Sequence, residues 1–157
     1  MKRIALTGAF VLGSLVSLNL LIAQEESPEE QAAAAVVQRQ AVFQLLAFSN
    51  APLANMARGA AFDADAALQG TERVAMLAKM IPEVLATDTT AVSGLTTRAS
   101  DIIWANQAEI AALAADLEAG ANEALEILRT QGQGGVRLAL TKIGPKCGAC
   151  HDRFRLE

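Results

Sequence analysis

An all-α fold, arranged as an antiparallel up-down-up-down four-helix bundle, is what this sequence predicts, and three observations carry the prediction. Of the 157 residues the first 23 read as a leader, and alanine fills 30 of the remaining 134 positions, with tyrosine absent and Trp104 the only indole. Such a composition is rich in helix formers and short of strand formers. Apolar residues recur at helical spacing along four separate stretches, and the links between them are short except for one, which places successive helices antiparallel. A chain of this length supports one domain rather than a two-domain enzyme.

The leader begins Met1-Lys2-Arg3, runs through an apolar stretch from Ile4 to Ala23, and meets the polar, acidic Gln24-Glu25-Glu26-Ser27. This order is that of a secretory signal peptide. Because the apolar run is also long enough to span a bilayer, and Leu21 fits a cut after Ala23 imperfectly, an uncleaved anchor is the alternative. Either way residues 24–157 are expected to lie outside the cytoplasm, and the mean hydropathy of +0.29 is inflated by the leader.

The first helix starts at Ser27-Pro28-Glu29-Glu30, which combines an N-cap hydroxyl, a proline in the first turn and a glutamate three residues on to complete a capping box. It runs through Gln31 to about Asn50, where Pro52 kinks or ends it, with helix continuing to Arg58 before Gly59. Asp63 caps the second helix, whose Val74, Leu77 and Ile81 keep helical spacing until Pro82 stops it. The Thr-rich stretch from Glu83 to Ala99 is loop chemistry. A third helix begins near Ser100-Asp101 and carries Ile103, Ile110, Leu117, Ala121, Leu125 and Leu128 on one stripe. Gln131-Gly132-Gln133-Gly134-Gly135 breaks it, and a fourth starts near Val136, with Val136, Leu140, Ile143, Cys147, Cys150, His151 and Phe154 on one side.

Charge narrows the partners. Without Lys2 and Arg3 the chain has 11 basic against 17 acidic residues, a balance that argues against nucleic acid.

The chemistry sits in Cys147-Gly148-Ala149-Cys150-His151. C-x-x-C-H is the attachment signature of haem c: two thiols add across the vinyl groups and the histidine ligates iron. On a helix turning about 100° per residue, positions i, i+3 and i+4 share one face. Rival readings fit less well. A disulfide across two residues of a helix is strained and leaves His151 unexplained, a thioredoxin-like pair expects a βαβ context, and structural zinc needs four ligands where these are the only cysteines and the only histidine.

A C-terminal haem motif on a helical bundle resembles the cytochrome c-prime family. The resemblance rests on Arg39-Gln40-Ala41, Pro52-Leu53, Met56-Ala57-Arg58-Gly59, Phe62-Asp63-Ala64, Ile103-Trp104 and Cys147 through Arg155. It implies an exported homodimer packed through the first two helices, with one covalent haem held by Cys147 and Cys150 and His151 as the only protein ligand. It further implies Arg39 at the haem edge, Gln40 and Arg98 as its neighbours, Phe43 over the open coordination site, and Arg155 beside the proximal face. Plainer readings stand against these: Arg39 as a surface charge, Phe43 as ordinary core, Arg155 as a solvated arginine answering the helix dipole, and Trp104 as bundle packing. The sequence departs from the family pattern at Pro145, expected to disturb the bond to the Thr141 carbonyl, at Gly134-Gly135 and at Asp101.

The function this implies is capture of nitric oxide, and of carbon monoxide, by five-coordinate iron in a bacterial periplasm, with electron exchange through an unidentified redox partner. The alternative is a six-coordinate electron carrier. Met56, Met76 and Met80 are its candidate ligands, but Gln31 to Phe48 contains no methionine. An enzyme of peroxidase type would need an acid-base group over the iron, and with Phe43 there and no second histidine none is expected.

Overall fold

The computed structural model describes residues 26–157; the leader lies outside the described residues. The chain forms α1 (Pro28–Ala57), α2 (Ala64–Ala78), a single helical turn α3 (Ile81–Val84), α4 (Gln107–Gln131) and α5 (Val136–Phe154). Short 3-10 segments at Asp101–Asn106 and Gly132–Gly135 lead into α4 and α5. The four long helices make the expected four-helix bundle.

Local chemistry sets most boundaries. The Ser27 hydroxyl accepts from the Glu30 amide at 3.2 Å while the Glu30 carboxylate accepts from the Ser27 amide at 2.8 Å, closing the capping box. Asp63 accepts from the Ala66 amide at 2.9 Å to open α2. Pro52 does not end α1, which continues to Ala57. Leu53, 1% exposed, anchors that last stretch in the core, and its burial outweighs the missing hydrogen bond. Pro145 is likewise carried within α5. Pro82, by contrast, does not stop the second helix: α2 ends at Ala78 and Pro82 lies in the first turn of α3, where its absent N–H costs nothing. The third helix opens as a 3-10 segment, and α-geometry begins only at Gln107.

Ile103, Ile110, Leu117, Ala121, Leu125 and Leu128 are all buried, as are Val136, Ile143 and Phe154. Two crossings are backbone against backbone. A Cβ at Gly70 would strike the Ser49 carbonyl, locking α1 on α2, and one at Gly120 would strike that of Lys142, locking α4 on α5. Exposed ion pairs such as Lys79–Glu118 and Lys142–Glu123 lie across the α2/α4 and α4/α5 contacts and add little. Consecutive long helices pack closely, whereas α1 and α5 touch over a much shorter stretch, and the seam between them is where the bundle opens.

Candidate functional site

A cavity of about 780 Å³ occupies that seam, within the roughly 300–1,000 Å³ typical of cofactor sites. Arg39, Gln40 and Phe43 line it from α1, Arg98 from the loop before α4, and Cys147, Cys150, His151 and Arg155 from α5 and its cap. The structure thus brings together the residues that the sequence assigned to the haem site. The rest of the wall is largely apolar, with Val74, Ile81, Leu85, Ile103, Ile110 and Leu117 at its back.

Both cysteines are free and half-buried, and burial pushes both thiols above their ordinary range. Two neutral thiols and an imidazole on one cavity wall are the donor set that vinyl addition and iron ligation require, so the residues present fit haem c. Burial lowers the His151 pKa, the charges of Arg155 and Arg98 add to that, and Asp152 opposes it. The neutral imidazole this favours is the form that binds a metal.

Arg39 is 3% exposed, which excludes the reading of a surface charge. Its guanidinium donates to the Val84 carbonyl at 3.4 Å, the Thr87 carbonyl at 3.2 Å and the Thr97 hydroxyl at 3.5 Å, and lies 5.4 Å from the centre of the Trp104 ring. Burial lowers its pKa from the usual guanidinium value. Trp104 does more than pack, since its indole N–H donates to the Thr87 carbonyl at 2.8 Å. The Gln40 amide donates to the Thr96 carbonyl at 2.9 Å. Met56 lines a separate small cavity, Met76 and Met80 are exposed, and none of the three lines the large one.

The sequence reading missed the loop. Thr87, Thr96 and Thr97 receive the α1 side chains, and Ala99 pairs with Arg155 in an isolated antiparallel bridge. A run of threonines signals a loop but not what it binds. Asn50 was also missed; it lines the cavity with its Oδ1 buried and unpartnered.

A family model described as Cytochrome C' matches residues 34–155. A cytochrome c-556 of Agrobacterium fabrum is 31% identical over the whole of this chain and 98% of its own length. A cytochrome c′ structure from Rhodobacter sphaeroides superposes with a TM-score of 0.70 at 32% identity, covering 80% of this chain and 98% of that one. The fold is shared too by a ferrous cytochrome c′ variant of Alcaligenes xylosoxidans with bound NO, at TM-score 0.68 and 20% identity, covering 84% and 99% of the two chains. With the bundle, the cavity and the matched span in agreement, the chain belongs to the cytochrome c′ family of haem proteins.

Proposed function

We infer that the chain binds one haem c through Cys147 and Cys150, that His151 is its only protein ligand to iron, and that the open iron position takes nitric oxide and carbon monoxide. The observation that carries this reading is the make-up of the cavity wall: among the described residues lining it there is one histidine and no methionine, and α1 offers Phe43 there. Bound haem supplies the iron that holds the gas. The chain's own part is to hold His151 neutral, to keep ligating side chains off the opposite wall, and to exclude water with Phe43, Leu46 and Ala47. Arg39 has five N–H donors, and with three committed to Val84, Thr87 and Thr97 the others remain for a propionate. An apolar ring over the iron disfavours dioxygen, which gains from a hydrogen-bond donor, more than it disfavours nitric oxide or carbon monoxide.

The resting absorption spectrum tests this directly. A high-spin five-coordinate spectrum that shifts on adding nitric oxide is expected; a low-spin six-coordinate spectrum would make the protein an electron carrier instead. In Phe43→Ala the carbon monoxide on-rate is expected to rise about tenfold or more, as a barrier lowered by roughly 1.4 kcal/mol gives. An unchanged rate in stopped flow would assign the lid to another side chain.

We read the working protein as periplasmic, which the leader-like N-terminal sequence and the family resemblance support, and as a binding protein rather than an enzyme, exchanging electrons with a redox partner. We further read it as a homodimer. Val37 and Phe48, 65% and 67% exposed, stand with Leu45 along α1, and Met76 on α2 is also exposed. Surface of this kind is normally covered in an assembly. Phe48→Asp is expected to sediment as a monomer at micromolar concentration where the parent sediments as a dimer, and identical profiles would move the interface elsewhere.

A further inference from the structure

The segment from Thr96 to Ser100 crosses the mouth of the seam between α1 and α5 and is tied at both sides. Toward α1, the Gln40 amide donates to the Thr96 carbonyl at 2.9 Å and Arg39 donates to the Thr97 hydroxyl at 3.5 Å. Toward the end of α5 the ties are backbone. The Ser100 amide donates to the Phe154 carbonyl at 2.9 Å and the Leu156 amide to the Arg98 carbonyl at 2.8 Å. The Arg98 side chain adds a bond from Nε to the Leu156 carbonyl at 3.1 Å. The tail so held starts within the last turn of the helix, because the Arg155 amide donates to the His151 carbonyl at 3.1 Å.

A helix end normally frays, its last carbonyls having no partner within the helix. Here the final turn carries His151, and α1 gives it little lateral support because the seam is open. The bonds from Thr96–Ser100 supply that support from outside the helix. We propose that this strap is a positioning element for His151: it fixes the last turn of α5 so that the imidazole stays on the iron, and it links the helix bearing Phe43 to the helix bearing His151. The inference rests on the haem reading above. It assigns Thr97 and the Leu156 backbone amide a part in setting how readily the histidine lets go, although neither is a ligand.

Leu156→Pro removes the amide donor, and the extended backbone of Arg155, φ −110° and ψ 126°, accepts a following proline. Leu156→Ala keeps the donor and loses only the side chain. The holoproteins are compared by amide hydrogen exchange at Ser100, by the iron–histidine stretching band of the gas-free ferrous form, and by the share of the ferrous nitrosyl form that has lost its histidine. In Leu156→Pro faster exchange is expected, with a lower stretching frequency and an equilibrium between histidine-released and histidine-bound nitrosyl shifted about fivefold toward release, the factor one lost hydrogen bond carries. Leu156→Ala is expected to match the parent. Thr97→Val, acting at the other tie, is expected to shift the nitrosyl equilibrium in the same direction and Thr97→Ser to restore it.

Faster exchange with an unchanged stretch and nitrosyl equilibrium would overturn the proposal by making the strap structural only. Unchanged exchange, or an equal effect from Leu156→Ala, would overturn it as well. A low-spin resting spectrum in the parent overturns the five-coordinate reading instead, and the nitrosyl equilibrium then still decides on the strap.

Discussion

The Cys147→Ala, Cys150→Ala double variant is expected to give up all of its haem to acidified acetone, while the parent gives up none and each single variant retains a covalent bond. In the proposed attachment each thiol would add to one vinyl group, sulfur bonding one vinyl carbon and the thiol proton passing to its neighbour, so either cysteine alone would keep the cofactor tethered. With both replaced, the hold is His151 plus apolar contact with a cavity of about 780 Å³, and acid protonates the imidazole and opens the bundle together. Both cysteines are free on that wall, so nothing competes for the sulfurs. Haem retained by the double variant after extraction would refute the attachment.

Arg39→Ala is expected to lower stability by about 2–4 kcal/mol. Three acceptors lose a charge-assisted donor at once, and the Trp104 ring loses its cation partner. The Thr87 carbonyl keeps the indole N–H, which limits the loss. For a domain of this size the melting temperature should fall by about 5–20 °C. Arg39→Lys is expected to recover only part of it, because an ammonium cannot span three acceptors arranged for a planar fork. Calorimetry on the holoproteins checks both, and an Arg39→Ala protein as stable as the parent would mean that the loop is held by other groups.

Arg39 also shows where sequence reading stops. Its place beside the cavity was legible only through the family resemblance, the spacing adding that Phe43, four residues on, shares its helix face; both line the wall. Its partners were not, because Val84, Thr87 and Thr97 lie 45 to 58 residues away and two of the acceptors are main-chain carbonyls, which carry no side-chain signature. The same holds for the pairing of Ala99 with Arg155. Periodic and capping signals are local: Ser27 and Asp63 opened their helices as read, and the apolar stripe of α4 is buried throughout. Pro82 misled because a proline marks the first turn of a helix as readily as its stop, and only the early end of α2 at Ala78 decides between them.

The open seam has a consequence for how the bundle deforms. The glycine crossings at Gly70 and Gly120 interlock α1 with α2 and α4 with α5, α2 packs on α4 equally closely, and the bundle is thus a clip whose lips are α1 and α5. Widening the gap between the lips leaves the close contacts within each pair intact, but it pulls on the Thr96–Ser100 segment, whose bonds to Gln40 and Arg39 on one side and to Phe154 and Leu156 on the other hold the lips together. Parting α1 from α5 is therefore resisted first by those few bonds at the mouth and only afterwards by the interlocked glycine crossings.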